Sequence, residues 1–236
     1  MAKSLRLEII GTSGYTPFTS KIAKKFTSCR ISYGTKRLQI DIGNEYEGLP
    51  VDQLLITHTH YDHIQELKTL PEGILVLIPS LTFLKELQRK NPNIEFRVFK
   101  TKIDLDGLKV KAFNVLHSST TLTYGFKFFW NDKTLVWVPD WCIIPTYTEI
   151  FRDVDYLFLG ASAMRKPISH RGYGCCQGSI FPMLENISKM KNPPKKIYLC
   201  HFGLALRPIA VKVPFLNKQF PQLDISYTKD GQNIEL

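Results

Sequence analysis

Three of the six histidines in the chain, His58, His60 and His63, fall within six positions of one another in the segment ITHTHYDHI, with Asp62 among them. Imidazole nitrogens and a carboxylate brought this close form a donor set suited to a divalent metal ion. His58 and His60 alternate by two, so an extended segment points both rings to one side. Four ligands from one short segment do not surround an ion, and others must arrive from elsewhere. His117, Asp140 and His201 are the candidates, because each follows an apolar run: KAFNVL, TLVWVP and KIYLC. Strand ends of this kind converge in space although they are distant in sequence.

The elements that must position these residues are mostly strands. Short β-branched and apolar segments recur with turn signals between them. They are LRLEII (5–10), RISY (30–33), RLQIDI (37–42), QLLIT (53–57), ILVLI (74–78), IEFRVF (94–99), LKVKAFNVL (108–116), LTYGFKFFW (122–130), TLVWV (134–138), DYLFLG (155–160) and KIYLC (196–200). ISYT (225–228) and NIEL (233–236) read as a closing hairpin over the turn KDGQ. Helical spacing appears in HIQELKTL (63–70), in SLTFLKELQRK (80–90) and in GSIFPMLENISKMK (178–191), with a short helix over TYTEIFRD (146–153). In the second of these Ser80 is the expected N-cap, and Leu81, Leu84 and Leu87 share a face. Two long loops, 11–28 and 161–177, carry basic and small residues, and long irregular loops in compact domains are usually functional.

At 236 residues with 44% hydrophobic and 22% charged content, the chain has an ordinary globular composition and enough length for a sizeable core. No apolar run approaches the ~20 residues that span a bilayer, and the start MAKSLRLEIIGTSG lacks a signal-peptide core. The expectation is a cytoplasmic protein with no membrane partner. Five cysteines, Cys29, Cys142, Cys175, Cys176 and Cys200, make an odd count, unlike a secreted disulfide framework. Cys142 and Cys200 read as small buried apolar residues. The net charge of +10 raises the prior for polyanionic partners such as nucleic acid.

H-x-H-x-D-H followed in order by a lone His, a lone Asp and a lone His resembles the metallo-β-lactamase superfamily. The likeness starts at GTSG after the first strand, runs through TSCRISYGTKRLQIDIG and extends to the final segments. It implies an α/β fold, a four-layer αββα sandwich, with residues 1–236 forming a single hydrolase domain. It also implies two divalent metal ions. His58, His60 and His117 would hold the first, Asp62, His63 and His201 the second, and Asp140 would bridge them. Zinc is the default for such ligands, with manganese or iron as alternatives. Relatives that pair leave a homodimer open. True β-lactamases usually depart from this motif at its last histidine and use a cysteine in the second site, so antibiotic hydrolysis is not expected.

Two adjacent metals suit hydrolysis, with a bridging hydroxide as nucleophile. Asp62 would also orient it. His170 is the one histidine outside the metal set, and it lies in RKPISHRGYGC beside Arg165, Lys166 and Arg171. Those cations suit the charge of a phosphodiester, and an imidazolium suits protonation of its leaving oxygen. The resemblance narrows accordingly to the branch of ribonuclease Z and the cyclic phosphodiesterase of bacterial phosphonate breakdown. An extended basic arm between 160 and 200 is missing, and LGASAM (159–164) stands where ribonuclease Z has its H-E-A-T-type segment. The expected substrate is therefore a small or cyclic phosphodiester, or a nucleic-acid end. A thioesterase or lactonase on the same metals is the alternative, and a nucleic-acid-binding protein with little turnover is a third reading.

Overall fold

The computed structural model describes residues 5–14, 25–44, 50–170, 175–203 and 209–236. The chain divides into two compact units, one formed by Met1–Leu108 with Lys229–Leu236 and the other by Lys109–Thr228. Together they carry two large sheets in a mixed α/β fold.

The first unit contains β1 (Leu5–Gly11), β2 (Ser28–Tyr33), β3 (Lys36–Ile40), β4 (Gln53–Leu55), α1 (Tyr61–Ile64), a 3₁₀ turn (Leu67–Thr69), β5 (Leu75–Ile78), α2 (Leu81–Lys90), β6 (Phe96–Val98) and β7 (Lys102–Leu105). In the second unit follow β8 (Leu108–Val115), β9 (Thr123–Trp130), β10 (Lys133–Val138), α3 (Tyr147–Ile150), β11 (Tyr156–Gly160), β12 (Ile168–His170), β13 (Cys175–Gln177), α4 (Ile180–Ser188), β14 (Lys196–Cys200), α5 (Ile209–Gln219) and β15 (Ile225–Tyr227). The chain then returns to the first unit as β16 (Gln232–Glu235).

The first unit's sheet runs β16-β1-β2-β3-β4-β5-β6. Its β1, β2, β3 and β16 pair antiparallel, while β3 through β6 pair parallel. The sequence shows why. In β1, Leu5, Leu7 and Ile9 are buried while Arg6 is exposed, the period-2 pattern of a strand with one covered face. In β5, Val76, Leu77 and Ile78 are buried in succession, as expected for a parallel strand covered on both faces. In the second unit the strands follow in the order β15-β14-β11-β10-β9-β8. Here β8, β9 and β10 are antiparallel, and β10, β11, β14 and β15 are parallel.

Several elements depart from the sequence reading. The helix expected over 63–70 stops at Ile64, because Ile42 N–H takes the His63 carbonyl at 2.7 Å and Glu66 N–H turns to the Ile42 carbonyl at 3.1 Å. Ser80 does cap α2, accepting from Thr82 N–H at 3.1 Å. The buried face of α2, however, is Phe83 and Leu87, and Leu81 is exposed.

The closing hairpin is not formed. β15 pairs with β14 and β16 pairs with β1, each in a different sheet. Thr228 N–H is drawn to the Leu199 carbonyl at 2.9 Å, and Gly231 N–H to the Ile9 carbonyl at 2.7 Å. Loop 161–177 contains the β12–β13 ladder. The short strand β7 and the helix α5 had no counterpart in the sequence reading, and α5 carries Pro214 inside it. Of loop 11–28, residues 15–24 lie outside the described residues.

Cys200 is buried, as read, and burial together with nearby Asp140 holds its thiol well above the ordinary range. Cys142 is different, because it forms a disulfide with Cys176 across 34 residues, with the Cα atoms 5.6 Å apart. A pairing between cysteines this distant in the chain leaves no spacing signature.

Candidate metal centre

In the first unit the ligand segment leaves the carboxyl end of β4. Thr57, His58 and His63 are fully buried and Asp62 nearly so. His58 Nε2 approaches His60 Nδ1 at 2.9 Å, so the two rings do lie on one side. A nearby carboxylate orders this cluster. Asp41 Oδ1 accepts from Thr57 N–H at 2.8 Å, and its Oδ2 accepts from Thr57 Oγ1 at 2.8 Å and faces His63 Nδ1 at 2.7 Å. Asp41 sits at φ +58°, a left-handed conformation that an aspartate adopts more readily than most residues. With Nδ1 turned to Asp41, His63 presents Nε2, which lies 3.6 Å from Asp62 Oδ2. Gly43 allows this packing, since a Cβ there would run into the Asp62 carbonyl.

In the second unit three parallel strands end in register. Val138, Leu159 and Leu199 are partners across β10, β11 and β14. Asp140 and His201, each two residues further on, flank Ala161 at the same level. Ala161 carries only a methyl group, and His201 Nε2 lies 3.0 Å from Asp140 Oδ1. His117, just past the end of β8, brings Nε2 to 3.6 Å from the same oxygen. Its Nδ1 lies 2.7 Å from the Cys176 carbonyl oxygen. Gln177 Nε2 donates to Asp140 Oδ1 at 2.5 Å. All three candidate ligands are at least 96% buried, being 4%, 2% and 2% exposed for His117, Asp140 and His201. His201 also has a positive φ, +51°, and its carbonyl accepts from Ser162 Oγ at 2.9 Å.

These side chains fit a divalent cation. The donors are imidazoles and carboxylates, and His63 and His117 each direct Nδ1 to a carboxylate or a backbone carbonyl. That arrangement selects the tautomer whose Nε2 lone pair binds metal. The 2.9–3.6 Å separations between donor atoms match what ligands of one ion adopt, about 3.4 Å apart for bonds of about 2.1 Å at tetrahedral angles.

The remaining candidates are less assembled. His170 ends β12, its backbone paired with Cys175. Arg165 and Lys166 are exposed, and the Arg165 guanidinium stacks over the Phe181 ring at 4.6 Å. Arg171 lies outside the described residues. Two site residues escaped the sequence reading. Asp41 carried a signal, a carboxylate between isoleucines at the end of RLQIDIG. Gln177 carried none.

The family model of the beta-lactamase superfamily domain matches residues 37–202. The chain belongs to this family. Solved structures agree on the fold of this beta-lactamase superfamily protein. The metallo-beta-lactamase fold protein YhfI from Bacillus subtilis matches with a TM-score of 0.79 at 13% identity, covering 99% of this chain and 100% of its own. A diphosphatase from the PhnP family matches at 0.70 with 21% identity, covering 98% of each chain. Human tRNase Z, short form (ELAC1), matches at 0.64 with 14% identity, covering 97% of this chain and 98% of its own. No curated protein sequence matches the chain. These likenesses show the fold, in which the His and Asp side chains described above are candidate metal ligands. Among the described residues no helix is long and apolar enough to cross a membrane.

Proposed function

We propose that the chain is a dinuclear metal-dependent phosphodiesterase, acting on a small or cyclic phosphodiester or on a nucleic-acid end. In this reading residues 1–236 work as one hydrolase domain. His58, His60 and His117 would hold one ion and Asp62, His63 and His201 the other, with Asp140 available to both. The observation that carries the reading is the turning of both His117 Nε2 and His201 Nε2 onto one oxygen of Asp140. A carboxylate flanked in this way is placed to be shared by two ions.

When bound, the metal pair supplies Lewis acidity toward the phosphoryl group and lowers the pKa of water, with zinc the default and manganese or iron as alternatives. Asp62, at the start of α1, orients the attacking water. His170 protonates the departing alkoxide. Arg165, Lys166 and Arg171 hold the negative charge of the diester. The diphosphatase and tRNase Z likenesses are in keeping with attack at phosphorus. Such a substrate is at hand in the cytoplasm, where this reading places the enzyme.

The test is turnover of bis(p-nitrophenyl) phosphate by zinc- or manganese-loaded protein, beside a thioester and a lactone. Diester hydrolysis that disappears in Asp140→Asn and on chelation is the expected result. Thioester or lactone turnover without diester turnover would replace this reading with the alternative hydrolase.

A further inference from the structure

The strand β13 touches two of the second unit's candidate ligands at once. Cys176 N–H donates to the His117 carbonyl at 2.8 Å, and the Cys176 carbonyl lies 2.7 Å from His117 Nδ1. The next residue, Gln177, donates to Asp140. Gly178 N–H then donates to the carbonyl of Trp141 at 2.6 Å. One short stretch therefore sets both the ring of His117 and the carboxylate of Asp140.

β13 has three residues, and among the described residues its strand partner is β12, also of three. A two-stranded ladder this short is marginal by itself. The Cys142–Cys176 disulfide adds a covalent tie. Cys142 lies two residues past Asp140, and its N–H donates at 2.6 Å to the carbonyl of Leu116, the residue before His117. The bond thus joins β13 to the segment that links the two ligands.

We propose that β13, crosslinked through Cys142–Cys176, is a positioning element for His117 and Asp140, so that opening the disulfide weakens metal binding and makes it redox-dependent. This rests on reading His117 and Asp140 as metal ligands. The switching step needs a dithiol reductant. Its two electrons and two protons break the S–S bond into two thiols, and the dithiol closes to its own disulfide. Disulfides in reducing compartments are characteristically of this transient, responsive kind. Cys29 and Cys200 are buried thiols.

The experiment uses full-chain protein purified without reductant and loaded with cobalt(II), whose visible bands report ligand geometry. Peptide mapping should recover Cys142 linked to Cys176. Reduction with a phosphine should weaken cobalt affinity tenfold or more, measured against a competing chelator, and should alter the visible bands. Reoxidation with glutathione disulfide should restore both. The double variant Cys142→Ser/Cys176→Ser should sit at the reduced values and ignore the phosphine; if it does not fold, the wild-type redox cycle decides. Unchanged affinity and bands on reduction, or no linked peptide, would overturn the proposal. His117→Ala runs alongside. If it loses cobalt while reduction changes nothing, the positioning role alone fails. If it binds cobalt like wild type, the ligand assignment fails and takes the positioning role with it.

Discussion

Asp41 Oδ2 lies 2.7 Å from His63 Nδ1, and the pair is sealed from solvent. The carboxylate selects the ring's tautomer. Replacing Asp41 with Asn keeps the volume, and the oxygen can still accept from Thr57 N–H. It puts an NH₂ donor opposite His63, so the ring must accept at Nδ1 and carry its proton on Nε2. Asp41→Asn should therefore bind zinc about 10–100-fold more weakly, measured by chelator competition. An unchanged affinity would show that Asp41 orders the backbone and not the ring.

His170 is assigned the leaving-group proton, and that role depends on the substrate. A p-nitrophenolate leaves without help, whereas a nucleoside alkoxide does not. His170→Ala should slow alkoxide-releasing diesters by about 10²–10⁴-fold and spare bis(p-nitrophenyl) phosphate. Equal losses on both substrates would remove His170 from the proton-transfer step.

Asp155 links pH to stability away from the metal ligands. Burial pushes its carboxyl up, but Lys195 at 2.7 Å and the Thr134 N–H at 2.8 Å outweigh burial and hold it below its ordinary 3.8. A carboxyl lowered on folding stabilises the protein above its unfolded pKa, and the contribution disappears as pH falls through the folded value. Asp155→Asn should cost about 1 kcal/mol near neutrality, less than a fully buried pair because Lys195 is exposed. The difference from wild type should shrink to nothing on acidification below the ordinary carboxylate range. Thermal melts across that range provide the measurement, and a gap that persists in acid would contradict it.

Much of this protein is legible along the chain. The strands QLLIT and KIYLC, the cap at Ser80 and the run H-x-H-x-D-H are local patterns, written in residues a few positions apart. Each survives folding because alternation, capping and ligand spacing act over one or two turns of backbone. The closing hairpin failed for a related reason. KDGQ is a good turn locally, but nothing within it reveals that Thr228 pairs toward Leu199 while Gly231 pairs toward Ile9.

The amino-acid sequence by itself determined the candidate ligands, the strand ends that carry them and the family to which they point. Tertiary structure alone decided how those ligands are held: Asp41 against His63, Gln177 against Asp140, and Cys142 joined to Cys176. Those three pairs span 22, 37 and 34 residues. A hydrogen bond or disulfide needs two groups within a few ångströms, and at such separations only the folded path of the chain sets that distance.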